Sequence, residues 1–151
     1  MDVRHGQLAG DDVAALDDLA VSVADSPGSW LNLSFEELDD PNVVPDSALF
    51  GFLAARGPAN PLATIMRESP DSAVSIGIQH RAGTKAAQLL RESGLPVPDG
   101  GRVRQDHPRR GLVVEWPQAG PSIAMWLLGA MRELNRALTN DTVHWEWTLP
   151  S

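Results

Sequence analysis

Apolar and polar positions follow a readable order from Ala73 to Leu149. Val74, Ile76 and Ile78 alternate with Ser75, Gly77 and Gln79, the two-residue period of a half-buried strand. A helical stretch follows from about Thr84 to Ser93. Gly94 stands at its C′ position and Leu95 at C″, opposite Leu90, the spacing of a Schellman ending, and Pro96 and Pro98 forbid continuation. Val103 to Asp106 is short and polar, which suits an edge strand. Pro108-Arg109-Arg110-Gly111 turns the chain into Leu112–Trp116, the most apolar strand and therefore an interior one. Gly120-Pro121 opens the longest helix, with proline in its favoured first turn. Ile123, Leu127, Ala130, Leu134 and Leu138 form the inner stripe of that helix. After the break at Asn140-Asp141, Val143, Trp145 and Trp147 alternate with His144, Glu146 and Thr148 in a last strand.

Strand, helix, strand, turn, strand, helix, strand is a βαββαβ order. It predicts an α+β fold with a ferredoxin-like antiparallel sheet and its helices on one face. Upstream elements extend it. Val13, Leu16, Ala20 and Val23 recur at helical spacing within residues 11–25, with Asp11 and Asp12 in the first turn, where negative charge suits the helix dipole. Trp30 to Phe35 reads as a strand with Leu31, Leu33 and Phe35 on one side. Asp46 caps a second helix running through Arg56, and Gly57-Pro58 stops it. Leu62 to Met66 is short and closely limited by Pro61 and Pro70, which leaves its existence as a strand open. No boundary signal divides the chain. Residues 1–151 are predicted to be one α+β domain, in which residues 1–72 pack on the 73–149 core, covering a sheet edge or the face opposite the helices.

Charge sharpens that division. The net charge is −8, but residues 1–60 carry −9 and residues 61–151 carry +1. An acidic surface repels phosphate backbones, so nucleic acid is not an expected partner. No apolar run is long enough to span a bilayer and no signal peptide is visible, so no membrane role is expected. With no cysteine there are no disulfides, thiolate metal sites or cysteine nucleophiles, which suits a reducing cytoplasm. The bases are eleven arginines and one lysine, a composition that resembles coding bias more than arginine-specific chemistry.

Motifs with built-in chemistry are few. Gly83-Thr84-Lys85 resembles the tail of a phosphate loop but lacks the upstream glycine at the required distance. No Gly-x-Ser-x-Gly elbow occurs. The acidic loop 36–46 departs from calcium-loop spacing and Pro41 interrupts it, so it reads as a solvated loop that caps the next helix. Glu115 has a parity opposite to Leu112, Val114 and Trp116, which points it at Arg104 on the neighbouring strand.

The expected topology makes its own suggestion. It places His80, Arg81, Asp106, His107, Arg109, Arg110 and His144 on one rim, beside the N-terminus of the helix that starts near Thr84. Guanidinium groups with a helix N-terminus suit an anion, through Arg81, Arg109, Arg110 and Thr84. His80 or His107, oriented by Asp106, suits acid–base catalysis. A histidine metal site is disfavoured, because these histidines have no short ligand spacing and no fourth ligand. No cofactor is implied. Set against the rim is a second surface. Met125 and Leu128 lie off the inner stripe of the long helix and Trp126 at its margin, so these residues are predicted to face a contact. The sequence thus favours a non-enzymatic module that binds a protein partner or a second copy as a homodimer, with the rim as the alternative.

Overall fold

The computed structural model describes residues 1–36, 61–82, 85–134 and 141–150. The predicted helix 46–56, the acidic loop 37–46 and Leu138 lie outside those residues. Within them the chain forms β1 (Asp2–Ala9), α1 (Val13–Ala24), β2 (Trp30–Phe35), β3 (Leu62–Met66), β4 (Val74–Gln79), α2 (Ala86–Glu92), β5 (Arg102–His107), β6 (Gly111–Trp116), α3 (Pro121–Leu134) and β7 (Thr142–Leu149). All seven strands join one sheet in the order β1-β7-β2-β3-β4-β6-β5, and every pairing is antiparallel.

This sheet overturns the ferredoxin-like expectation. The run β4-β6-β5 is the arrangement predicted for the first three strands of βαββαβ. The fourth, β7, should pair with β4 and instead lies three strands away, because β2 and β3 fill the gap. The physical reason is burial. Leu31 and Leu33 are fully enclosed, and Phe35, Ala63 and Ile65 nearly so. Strands that bury a full apolar face need neighbours on both sides, so they enter the sheet and do not cover it from outside. The chain also has an eight-residue strand at its start, β1, to which sequence patterning assigns no element. Val3 and Leu8 are its only large apolar residues and have opposite parity, so no alternation marks it.

One face of the sheet carries the core. Leu31, Leu33, Ile65, Ile76, Ile78, Leu112, Val114, Trp116 and Val143 all point to it, in register across β7-β2-β3-β4-β6. Each such side chain contributes about 1.5–3 kcal/mol on burial. A slip of one residue would turn the whole set to solvent, which fixes the register. The helices cover this face. α3 packs against both α1 and α2, so it is buried on more than a stripe. Leu128 and Trp126, expected at a contact surface, are therefore core residues at 3% exposure, whereas Met125 is 61% exposed as anticipated. None of the helices is long and apolar enough to cross a membrane among the described residues.

Local signals behave as physical chemistry dictates. Asp12 caps α1, its Oδ1 accepting from the Ala15 N–H at 3.1 Å. α2 ends in the Schellman pair, with Leu95 N–H donating to Leu90 O at 2.8 Å and Gly94 N–H to Arg91 O at 3.1 Å, and Gly94 at φ +80°. β3 exists despite its flanking prolines. Arg104 meets Glu115 at 3.8 Å across β5 and β6, an exposed pair of small energetic weight.

Candidate functional site

The border of the sheet that holds the ends of β4, β5, β2 and β1 and the starts of β3, β6 and β7 carries three of the four histidines, but in two separate corners. His80 follows β4 and shares the parity of Ile76 and Ile78, so it enters the helix-covered side and is fully buried. Its Nδ1 accepts the Ala82 N–H at 3.1 Å. The neutral ring therefore carries its hydrogen on Nε2, which is buried with no hydrogen-bond partner. Burial pushes the imidazole below its ordinary value near 6.5, and the nearby Asp106 carboxylate opposes this with a smaller raising effect.

Asp106 has a structural task. The cap residue of α2 is Lys85, whose side chain can accept nothing. The missing acceptor comes from the neighbouring strand. Asp106 Oδ1 takes the Ala86 N–H at 2.9 Å and Oδ2 takes the Ala87 N–H at 3.2 Å. The place an anion would occupy at this helix end is thus filled by the chain's own carboxylate. His107 is also engaged, its Nδ1 accepting the Arg109 and Arg110 N–H groups at 3.1 and 3.2 Å within the β5–β6 turn. Arg109 and Arg110 are exposed and Arg81 is half-buried. Thr84 lies outside the described residues. Gly111 completes the turn at φ +92°, where a Cβ would collide with the Ile78 carbonyl.

His144 does not join this corner. It pairs with Gln7 on β1 and Ser34 on β2. β7 is three strands from β4, about 14 Å at the usual strand spacing. It also points to the other face, since Val143 and Trp145 take the helix side. Its Nδ1 lies 3.4 Å from Gln7 Nε2 and its Nε2 lies 3.7 Å from Glu36 Oε1. The three-histidine rim is therefore split by sheet order and by parity. Around His144 opens a shallow cleft of about 370 Å³ lined by His5, Gln7, Asn32, Ser34 and Glu146. Two rows build it, Gln7–His144–Ser34 and His5–Glu146–Asn32. Thr64 Oγ1 extends the second row by donating to Asn32 Oδ1 at 2.7 Å. Sequence patterning did not reach this cleft, because recognising it requires β1. Among the described residues no group of three histidine or acidic side chains is placed to hold a metal ion.

A third feature surrounds Met125. The loop Gly94–Asp99 and the start of α3 enclose an open, mainly apolar hollow of about 540 Å³, with Leu95, Pro96, Val97, Pro98 and Trp126 in its wall. Two indoles hold the loop. Trp126 Nε1 donates to Leu95 O at 3.1 Å and Trp116 Nε1 to Pro98 O at 3.3 Å. The two rings meet edge to face, 5.6 Å apart at 63°. Compared with known proteins, the chain matches no family model, no curated protein and no solved structure.

Proposed function

We propose that this chain is a protein-binding module of the cytosol with no catalysis of its own, and that a partner seats an apolar side chain in the hollow beside Met125. The observation that carries the reading is Met125 itself, 61% exposed on a helix whose neighbours Ala124, Trp126, Leu127 and Leu128 are buried. Covering such a side chain contributes about 1.5–3 kcal/mol, enough to matter in a moderate complex. The hollow needs little ordering on binding, because the two indole hydrogen bonds and two prolines already hold its loop. The histidine corner lends the enzymatic alternative no support. His80 has no access to solvent, and both Asp106 oxygens are taken by α2.

Met125→Glu tests the reading. A surface substitution of this kind changes stability by less than about 0.5 kcal/mol. It is expected to abolish a complex that wild type forms, read by size-exclusion chromatography with light scattering on the chain alone and on material retained from cell extract. A dimer lost in the variant would identify the partner as a second copy. Identical retained proteins and identical mass for both chains would refute the proposal.

A further inference from the structure

Among the described residues the sheet has two edges, and β5 is the more strongly protected of them. β5 carries a bulge at Arg104, where the pairing with β6 shifts between Val103 and Gln105, and it bears Arg102 and Arg104. Bulges and charges of this kind blunt an edge against further pairing. β1 carries one charged pair, Asp2 with Arg4, but neither bulge nor proline nor lysine. It runs eight residues in unbroken register with β7.

Its hydrogen-bonding direction follows from its ends. Gly10 N–H donates to Asp141 O at 2.6 Å, and Glu36 N–H donates to Thr142 O at 2.9 Å. In antiparallel pairing the bonded positions alternate. The even residues of β7 therefore bond β2 and its odd residues bond the even residues of β1. That leaves the N–H and C=O groups of Val3, His5 and Gln7 directed outward, and all three residues are exposed, whereas the Ala9 carbonyl already accepts the Asp12 N–H. Their side chains share the open face with the His144 cleft, so a strand laid along β1 would place alternate side chains beside His5 and Gln7. The row His5–Glu146–Asn32 then leads inward to the exposed Glu146 carboxylate, with Glu36 close by on His144. That carboxylate is two strand spacings, about 10 Å, from the incoming backbone, a gap an extended lysine or arginine and the Glu146 side chain can bridge together.

We infer that the free edge of β1 binds an extended, basic segment of a partner protein by strand addition, with a lysine or arginine of that segment reaching Glu146 over His5. Main-chain hydrogen bonds supply the attachment and the cleft supplies the selectivity. Charge decides between occupants. A second copy brings another net charge of −8, whereas a basic segment is attracted by it. The inference goes beyond the Met125 reading, lies at the other end of the sheet, and stands or falls separately from it.

The test uses the full chain and labelled heptapeptides that alternate valine with lysine, valine with glutamate, or proline with lysine. The lysine–valine peptide is expected to bind, and to slow amide exchange at Val3, His5 and Gln7. The glutamate and proline peptides are expected to bind at least about tenfold more weakly. His5→Pro and Val3→Pro each remove an outward N–H without touching the β7 ladder, so they are expected to keep the fold and lose the peptide. Glu146→Gln, which leaves the edge intact, should weaken binding about threefold and lessen its salt dependence. Met125→Glu should leave peptide binding unchanged, which separates failure here from failure at the hollow. Absent binding, binding without protection of the three amides, or equal binding of the glutamate peptide would overturn the inference. So would a dimer of the chain alone that His5→Pro abolishes, since that outcome gives the edge to a second copy.

Discussion

His80 and His144 stand on the same border of one sheet and live in opposite surroundings. His80 is sealed under the helices with one ring nitrogen bonded and the other bare. His144 sits half-exposed between two strands, with Gln7 at one nitrogen and Glu36 at the other. A single residue of parity separates the two situations. The lesson is that titratable groups gathered at one edge of a sheet form a site only if they also share a face.

The sealed corner should break first and hardest. Gly111→Ala forces a Cβ into the Ile78 backbone at a positive φ, combining overpacking with backbone strain. It is expected to cost about 3 kcal/mol in urea unfolding monitored by circular dichroism. A cost below about 1 kcal/mol would mean the turn does not clamp β4 as described.

Asp106→Ala should have an intermediate effect. It strips both acceptors from the first N–H groups of α2, for an expected loss of about 1–2 kcal/mol. Asp106→Asn keeps one acceptor and should fall between. Hydrogen exchange at Ala86 and Ala87 reads the same contact locally, and unchanged protection in the alanine variant would remove the capping role.

The smallest effects are those of the two histidines, and His80 shows its own through pH. The folded-state value of His80 is lowered, so the unfolded chain binds the extra proton first as pH falls. Its neutral form is accommodated in full above the ordinary value near 6.5, and stability declines below it toward the depressed folded value. The melting temperature should therefore drop with acidification below about pH 6.5, and His80→Gln should flatten that slope. His144→Ala is expected to change stability by under about 0.5 kcal/mol, as usual for a partly exposed surface group. A larger loss from His144→Ala than from His80→Gln would invert the comparison.

Much of the local structure was legible in the chain. Asp12 before the α1 stripe, Gly94-Leu95 after α2 and the alternations of β2, β4, β6 and β7 are short-range signals, read within a few residues of where they act. His80 was placed on an accessible rim, although it continues the parity of Ile76 and Ile78, and that parity is what carries it beneath the helices. Asp106 was recognised as a charged neighbour, but its capping role was not, because the N–H groups it satisfies are twenty residues away. β1 was missed because an edge strand buries almost nothing, and alternation records burial. Leu128 and Trp126 were misplaced for the converse reason: a stripe drawn for a helix on a sheet omits the helices packed on either side.

The amino-acid sequence by itself determined the approximate places of α1, α2, β2, β4, β6 and β7 and which side of each of those strands is apolar, because those properties depend on backbone geometry and near neighbours. Only the tertiary structure decided that β2 and β3 enter between β7 and β4, that His144 is parted from His80, and that β1 forms an edge of the sheet. Strand order is set by long-range pairing, where many arrangements satisfy the same alternation. The burial of Leu31, Leu33 and Ile65 on both flanks selects among them, and that selection exists only once the chain has closed on itself.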